Sequence, residues 1–189
     1  MEVTMSREII SSKRICRLFA VGSFISLTVL SAFVRFPLPF TPVPLTLQTF
    51  FVLLSGALLG KKLGLTVQLA YVSLGLIGYQ VFTGLGSGGL YLIGPTGGYL
   101  VGFVLAALFT GSLFTSGKQS AAAIFLKLMI ADLMILFCGT VWLKFSFASS
   151  WRQAFLWGFF PFVLGESFKI ILATAVYQKL QARVKAILH

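Results

Sequence analysis

The sequence predicts an all-α fold built from six membrane-crossing helices, and three observations carry that prediction. Of 189 residues, 58% are hydrophobic and 10% are charged, with a mean hydropathy of +0.98; a soluble domain has about a quarter of its residues charged. Apolar runs of about 20 residues recur along the chain, each long enough to cross a hydrocarbon core as a helix. The basic residues gather between alternate runs. Residues 1–189 therefore read as a single transmembrane domain, with 1–17 and 181–189 as cytoplasmic ends and no stretch left for a soluble domain.

The first helix is expected over Leu18–Val34. Its basic approach resembles a signal peptide, but the apolar run is too long for one. Phe33, Val34 and Arg35 stand where a small-x-small cleavage site belongs, so the segment reads as a helix that stays. Pro37, Pro39, Pro42 and Pro44 follow within nine residues, which forces extended backbone and marks a lid over whatever lies beneath. The second helix, Leu47–Gly60, is short; the third spans Leu63–Phe82. The fourth, Thr96–Thr115, opens on Gly94-Pro-Thr-Gly-Gly-Tyr99, where a helix-starting proline and bare N–H groups suit an anionic ligand group. Gly94, Gly98, Gly102, Ala106 and Thr110 recur every four residues along it, a smooth stripe for close packing. Ala121–Leu143 is the fifth helix and Phe155–Leu180 the sixth.

Basic residues set the orientation. With the N-terminus inside, Arg7, Lys13, Arg14, Arg17, Lys61, Lys62, Lys118, Lys179, Arg183 and Lys185 fall on the cytoplasmic side, against Arg35, Lys144 and Arg152 outside. The net charge of +11 is spread over separate short segments, which suits anionic lipid head groups and excludes a nucleic-acid face.

Several catalytic classes are excluded. Gly84-Leu-Gly-Ser-Gly-Gly89 matches a dinucleotide fingerprint but lies in a loop between membrane helices. Gly56-Ala-Leu-Leu-Gly60-Lys61-Lys62 has three residues between its glycines where a phosphate loop has four, and no Ser or Thr follows the lysine. The one histidine is His189, and the carboxylates are Glu2, Glu8, Asp132 and Glu166, so no catalytic constellation forms. Cys16 and Cys138 suggest neither a disulfide framework nor a metal site.

Glu166 and Lys169 stand out within the last apolar run. Three residues apart, they share one face of a helix, where they form either a structural ion pair or a ligand site. Lys127 and Asp132 are also intramembrane charges. Five residues is an awkward separation for a contact on a straight helix, and the sequence assigns Asp132 no role.

Four segments together resemble the BioY family, the biotin-binding S-components of energy-coupling-factor transporters: Pro42-Val-Pro-Leu-Thr-Leu-Gln-Thr49, Leu54-Ser-Gly-Ala-Leu-Leu-Gly60, Gly94-Pro-Thr-Gly-Gly-Tyr-Leu100, and Pro161 through Lys169. The resemblance covers nearly the whole chain after Arg17. It implies the six-helix S-component fold in a prokaryotic cytoplasmic membrane, biotin as the transported ligand, and no cofactor. It also implies a membrane coupling subunit and two ATPases as partners, with toppling in the bilayer to release biotin inside. The alternatives are an S-component for another vitamin, a solitary facilitator, or a structural membrane subunit.

The family's Gly-Asp-x-x-Lys appears here as Gly165-Glu-Ser-Phe-Lys169, with the acid one methylene longer. The resemblance thus makes Glu166 an acceptor for ureido N–H groups and Lys169 a donor. The chain has no asparagine, so amide recognition falls to Gln48 or to Gln80, which stands where the family often has a proline. Tyr91 and Tyr99 are expected to pack over the bicyclic ring, beside Gly97 and Gly98. The family docks on its coupling subunit through a small-residue stripe in the first helix, for which this chain offers Ala20, Gly22, Ser23 and Ser26.

Overall fold

The computed structural model describes residues 2–114, 117, 119–148 and 150–188, with side chains from Lys13 onward. Thr115, Lys118 and His189 lie outside the described residues, as do the side chains of Glu2, Arg7 and Glu8. In chain order the elements are α1 (Glu2–Phe33), β1 (Arg35–Phe36), β2 (Leu45–Thr46), α2 (Gln48–Leu76), α3 (Gly89–Ile93), α4 (Gly97–Leu113), α5 (Ala121–Ser146), α6 (Trp151–Gly158) and α7 (Val163–Leu188).

Helix α2 is two arms folded against each other. Gly60 sits at φ 80°, ψ 177°, a conformation open to glycine and costly for other residues. The Gln48 side-chain amide donates to the Tyr71 hydroxyl at 2.6 Å, and that of Gln68 to the Ser55 hydroxyl at 3.1 Å. In a straight helix residues 48 and 71 would stand about 35 Å apart. The arms 48–59 and 61–76 are therefore the expected second and third helices, separate passes joined at one glycine. With α1, α4, α5 and α7 they make six passes. Among the described residues, Lys13–Phe33 and Ala121–Ser146 are long and apolar enough to cross singly, the apolar length of Gln48–Leu76 is divided between its two arms, and α6 with α7 qualifies as a pair bent by 44°.

Helix α4 packs between α2 and α5, and its small residues explain how. A methyl group at Gly98 would overlap Trp142 and the Cys138 carbonyl of α5, and one at Gly102 would press on Ile135. On the other side Gly56 lies against Ala107 and Thr110, and Gly111 against Gly60 and Lys61. The small-residue stripe thus packs on α5 at Gly98 and Gly102 and on α2 at Thr110. Large apolar side chains instead face outward: Leu18, Phe19, Leu90, Phe137, Leu164 and Phe168 are all exposed. That inversion of the soluble pattern is the signature of a lipid-facing surface.

Three expected boundaries move. The first helix begins well before Leu18, so the basic segment continues α1. The third ends at Leu76, because the chain turns through Gly78 at φ 108°. Phe82, read as its apolar end, instead folds back from a loop with its ring against Gly75 and beside Tyr71 and Tyr91. The sixth is broken at 159–162, where Pro161 has no N–H to donate, leaving α6 and α7 as separate helices.

The proline segment is extended, as expected. It spans β1 and β2, which pair antiparallel with Arg35 opposite Thr46 and Phe36 opposite Leu45. Its tip is fastened to α6 by the Thr41 hydroxyl, which donates to the Trp157 carbonyl at 2.6 Å.

At Gly60 an added methyl group would meet nothing within 4 Å, so Gly60→Ala isolates the backbone cost. It should lower stability by about 1–3 kcal/mol, seen as an earlier thermal unfolding midpoint in detergent. An unchanged midpoint would show that the turn does not need a left-handed residue.

Candidate functional site

One end of the bundle holds a narrow cavity. It is roofed by Val43 and Pro44 of the lid and walled by Thr46, Gln48, Thr49, Tyr71, Thr83, Tyr91, Thr96, Tyr99, Leu100, Phe103, Leu136, Phe162 and Glu166. The cavity volume is about 40 Å³, room for a few waters. A vitamin-sized ligand has to push the walls apart. Lid and 77–88 loop, each without continuous helical hydrogen bonding, are the walls able to yield.

The floor of the cavity is charged. Glu166 and Lys169, 4% and 5% exposed, form an ion pair of 2.6 Å in the first turns of α7. Lys169 Nζ also donates to the Thr49 hydroxyl at 2.6 Å and to the Thr46 carbonyl at 2.8 Å. Thr49 in turn donates to Glu166 Oε2 at 2.7 Å. All three ammonium donors are spent and both carboxylate oxygens are occupied, which is the condition for keeping such charges out of water. The carboxylate also lies in the first turn of α7, where the helix dipole favours it.

Above the ion pair lies an uncharged polar tier. Gln48 Oε1 accepts from Thr83 at 3.0 Å and Thr46 at 3.3 Å, while its amide donates to Tyr71, which passes its own proton toward the Val81 carbonyl at 3.2 Å. One Gln48 N–H remains for a ligand. The Tyr91 ring stacks on Phe82 at 4.8 Å between centroids, and its hydroxyl donates to the Thr83 carbonyl. Thr96, the N-cap of α4, lines the cavity with its side chain making no cap hydrogen bond.

Of the residues expected at a site, Gln48, Tyr91, Tyr99 and Glu166 line this cavity, and Lys169 stands directly behind Glu166. Tyr99 has its hydroxyl committed to the Gly158 carbonyl at 2.7 Å, so only its ring faces the space. Gln80 is exposed in the 77–88 loop and is not a wall residue. Gly97 and Gly98 are buried by Leu92, Cys138 and Trp142 instead of bordering the cavity; their smallness serves the packing of α4. Ala20, Gly22, Ser23 and Ser26 are far from the cavity on α1, with Gly22, Ser23 and Ser26 exposed and nothing within 4 Å of a methyl group at Gly22. Lys127 does not reach Asp132: its Nζ donates to Gln119 and the Leu113 carbonyl at the opposite end of the bundle.

Sequence reasoning missed Thr49, Tyr71, Thr83 and Thr96. Tyr71 reaches Gln48 only because α2 folds at Gly60, and no periodicity reveals a pairing 23 residues apart. Thr49 was legible in principle, as a hydroxyl one residue past Gln48 at a helix start.

A family model described as the BioY family matches residues 4–186. The chain is 38% identical over 165 residues to the "Biotin transporter BioY" of Thermotoga maritima, covering 87% of this chain and 95% of that protein. It is 39% identical over 141 residues to the "Biotin transporter BioY2" of Lactococcus lactis subsp. cremoris, covering 72% and 75%. A crystal structure of the S-component for biotin from an ECF-type ABC transporter superposes with a TM-score of 0.84 at 24% identity, over 89% of this chain and 92% of that one, which establishes a shared fold.

Proposed function

The chain belongs to the BioY family, and from that membership we propose that it is a biotin-binding membrane subunit that takes biotin into the cell. Its family and named relatives are transporters, so it is not an enzyme. The observation that carries the ligand site is the ion pair of Glu166 and Lys169 under a lid, in a cavity whose walls are otherwise uncharged, a mixture of aromatic, aliphatic, hydroxyl and amide side chains.

The chemistry of biotin fits this division of labour. Its ureido N–H groups need acceptors, which Glu166 supplies, and its carbonyl needs a donor, for which the unspent Gln48 N–H is placed; Lys169 serves as a donor by releasing the Thr46 carbonyl or the Thr49 hydroxyl. Its bicyclic ring suits the faces of Tyr91 and Tyr99, and its carboxylate suits the uncapped start of α4 at Thr96. Gln80, Gly97 and Gly98 act, if at all, through the loop and helix that shape these walls.

Removing one member of the buried pair leaves the other uncompensated, typically at a cost of about 3–5 kcal/mol or a few powers of ten in affinity. Lys169→Met should weaken biotin binding by that order in calorimetry of the purified chain. Binding as tight as the parent, together with lower thermal stability, would make the pair structural and move the site elsewhere.

The distribution of charge supports cytoplasmic termini in the cytoplasmic membrane. Lys61 and Lys62 sit at the α2 turn, at the end where Arg17 caps the Leu188 carbonyl, while Arg35 lies at the lid end beside Gly84. A cysteine at position 62 should stay unlabelled by an impermeant thiol reagent applied to intact cells; labelling from outside would invert the topology.

Uptake with an ATP-driven module of a coupling subunit and two ATPases is the reading favoured by the bare small-residue face of α1. ATP would then be used by the partners alone. Gly22→Leu should abolish uptake while leaving biotin binding in detergent intact, since Gly22 is exposed and a methyl group there meets nothing within 4 Å. Equal loss of binding would identify a folding contact, and unimpaired uptake would favour a solitary facilitator.

A further inference from the structure

The two segments that cover the cavity, the lid over 34–47 and the loop over 77–88, contain one charged residue between them, Arg35. It stands in β1 directly opposite Thr46 of β2. Opposite residues of an antiparallel pair send their side chains to the same face. On that face the Thr46 hydroxyl donates to Gln48 Oε1, as does the Thr83 hydroxyl from the loop.

The Arg35 guanidinium reaches from the lid to the backbone next to Thr83. A methyl group at Gly84 would stand 2.5 Å from Arg35 Nη1, so the bare backbone at Gly84 is what lets the guanidinium lie there. The loop is held in place around this contact: the Phe82 N–H donates to the Gly86 carbonyl at 3.1 Å and the Tyr91 hydroxyl to the Thr83 carbonyl at 3.2 Å. Arg35 is exposed, whereas Gln48 beneath is buried. The cation therefore lies across the seam between lid and loop, at the outer edge of the polar tier of Thr46, Gln48 and Thr83.

Nothing in the chain neutralises it. Among the described residues its guanidinium makes no hydrogen bond or ion pair, in contrast to Arg17, which holds the Leu188 carbonyl with two donors. Of the four carboxylates in the sequence, Glu2 and Glu8 belong to the opposite end of α1, Glu166 is engaged by Lys169 and Thr49, and Asp132 is buried in α5. An unpaired cation at the mouth of a cavity attracts anions, and its field reaches beyond contact when salt is low.

We infer that Arg35 is the capture residue for the ligand's carboxylate: set over the seam where lid and loop part, its guanidinium meets the anion first and raises the rate of entry, before the carboxylate passes to the start of α4 at Thr96. The inference rests on the reading of this cavity as the biotin site. The bicyclic ring of biotin carries no net charge, so the carboxylate is the part on which such a field acts. The effect belongs to association, because a charge at the rim steers encounter while buried contacts govern release.

The test is stopped-flow association of the purified full-length chain, in uncharged detergent, with biotin and with its neutral methyl ester. The variants are Arg35→Gln, Arg35→Glu, Arg35→Lys and Arg152→Gln. At low salt Arg35→Gln should slow biotin association about three- to tenfold and Arg35→Glu further, with dissociation within about twofold of the parent. The deficit should largely vanish in about 1 M salt, where the screening length is about 3 Å. Arg35→Lys keeps the charge and should associate within about twofold of the parent. Arg152→Gln removes an exposed charge of α6 that is not a wall residue and should associate as the parent does. The ester should enter the parent and Arg35→Gln at the same rate.

Equal slowing of biotin and ester would make Arg35 a strut of the seam and overturn the inference. So would a deficit indifferent to salt, a deficit carried wholly by faster dissociation, or equal slowing by Arg152→Gln. If Lys169→Met is defective while the Arg35 variants associate as the parent does, only this inference fails. If Lys169→Met binds as the parent does, the site reading fails and this inference with it.

Discussion

An ammonium and a carboxylate cannot be left singly in an apolar bundle, and much of this chain's architecture follows from keeping Lys169 and Glu166 together. The pair is completed from outside its own helix: Thr49 bridges both charges and the Thr46 carbonyl takes the third lysine donor. Those two groups are delivered by β2 and the start of α2, so the two-residue β-ladder does more than finish a loop. It holds one backbone carbonyl against the charge. The lid, the first arm of α2 and α7 are thereby fixed to one another by electrostatic need as well as by packing.

Most of the fold was legible because membrane helices are long and their composition is extreme. The six passes follow from apolar runs, and the fold back at Gly60 follows from a glycine before two lysines. The boundaries failed where apolar residues were buried by loops. Val81 and Phe82 look like helix, yet Phe82 is buried because it packs on Gly75 from a chain that has already turned. Likewise Phe159 to Phe162 read as continuous with α7 by hydropathy alone, and only Pro161 marked the break.

The candidate site was half legible. Glu166 and Lys169 announce themselves because charge is rare in such a sequence, and Gln48 because amides are. Hydroxyls are cheap in membrane helices and carry no such signal, so Thr49, Thr83 and Thr96 passed unremarked. Gln80 illustrates the opposite error, a conspicuous polar residue that lies in solvent on a loop. Asp132 was conspicuous but was left without a role: Lys127, the nearest charge in sequence, is held by Gln119 and the Leu113 carbonyl instead. Adjacency along one helix says little when packing between helices decides the contact.

The single hydrogen bond from Thr41 to Trp157 couples two parts of the molecule that meet different surroundings. The lid that carries Thr41 borders the cavity, while α6 turns Trp151, Phe155 and Leu156 outward toward lipid and is joined to α7 through the unwound 159–162 link. A shutter latched to a part that leans on the bilayer does not swing independently of it. Membrane thickness and lateral pressure therefore belong among the variables that govern how readily the vitamin gains access, alongside its concentration outside.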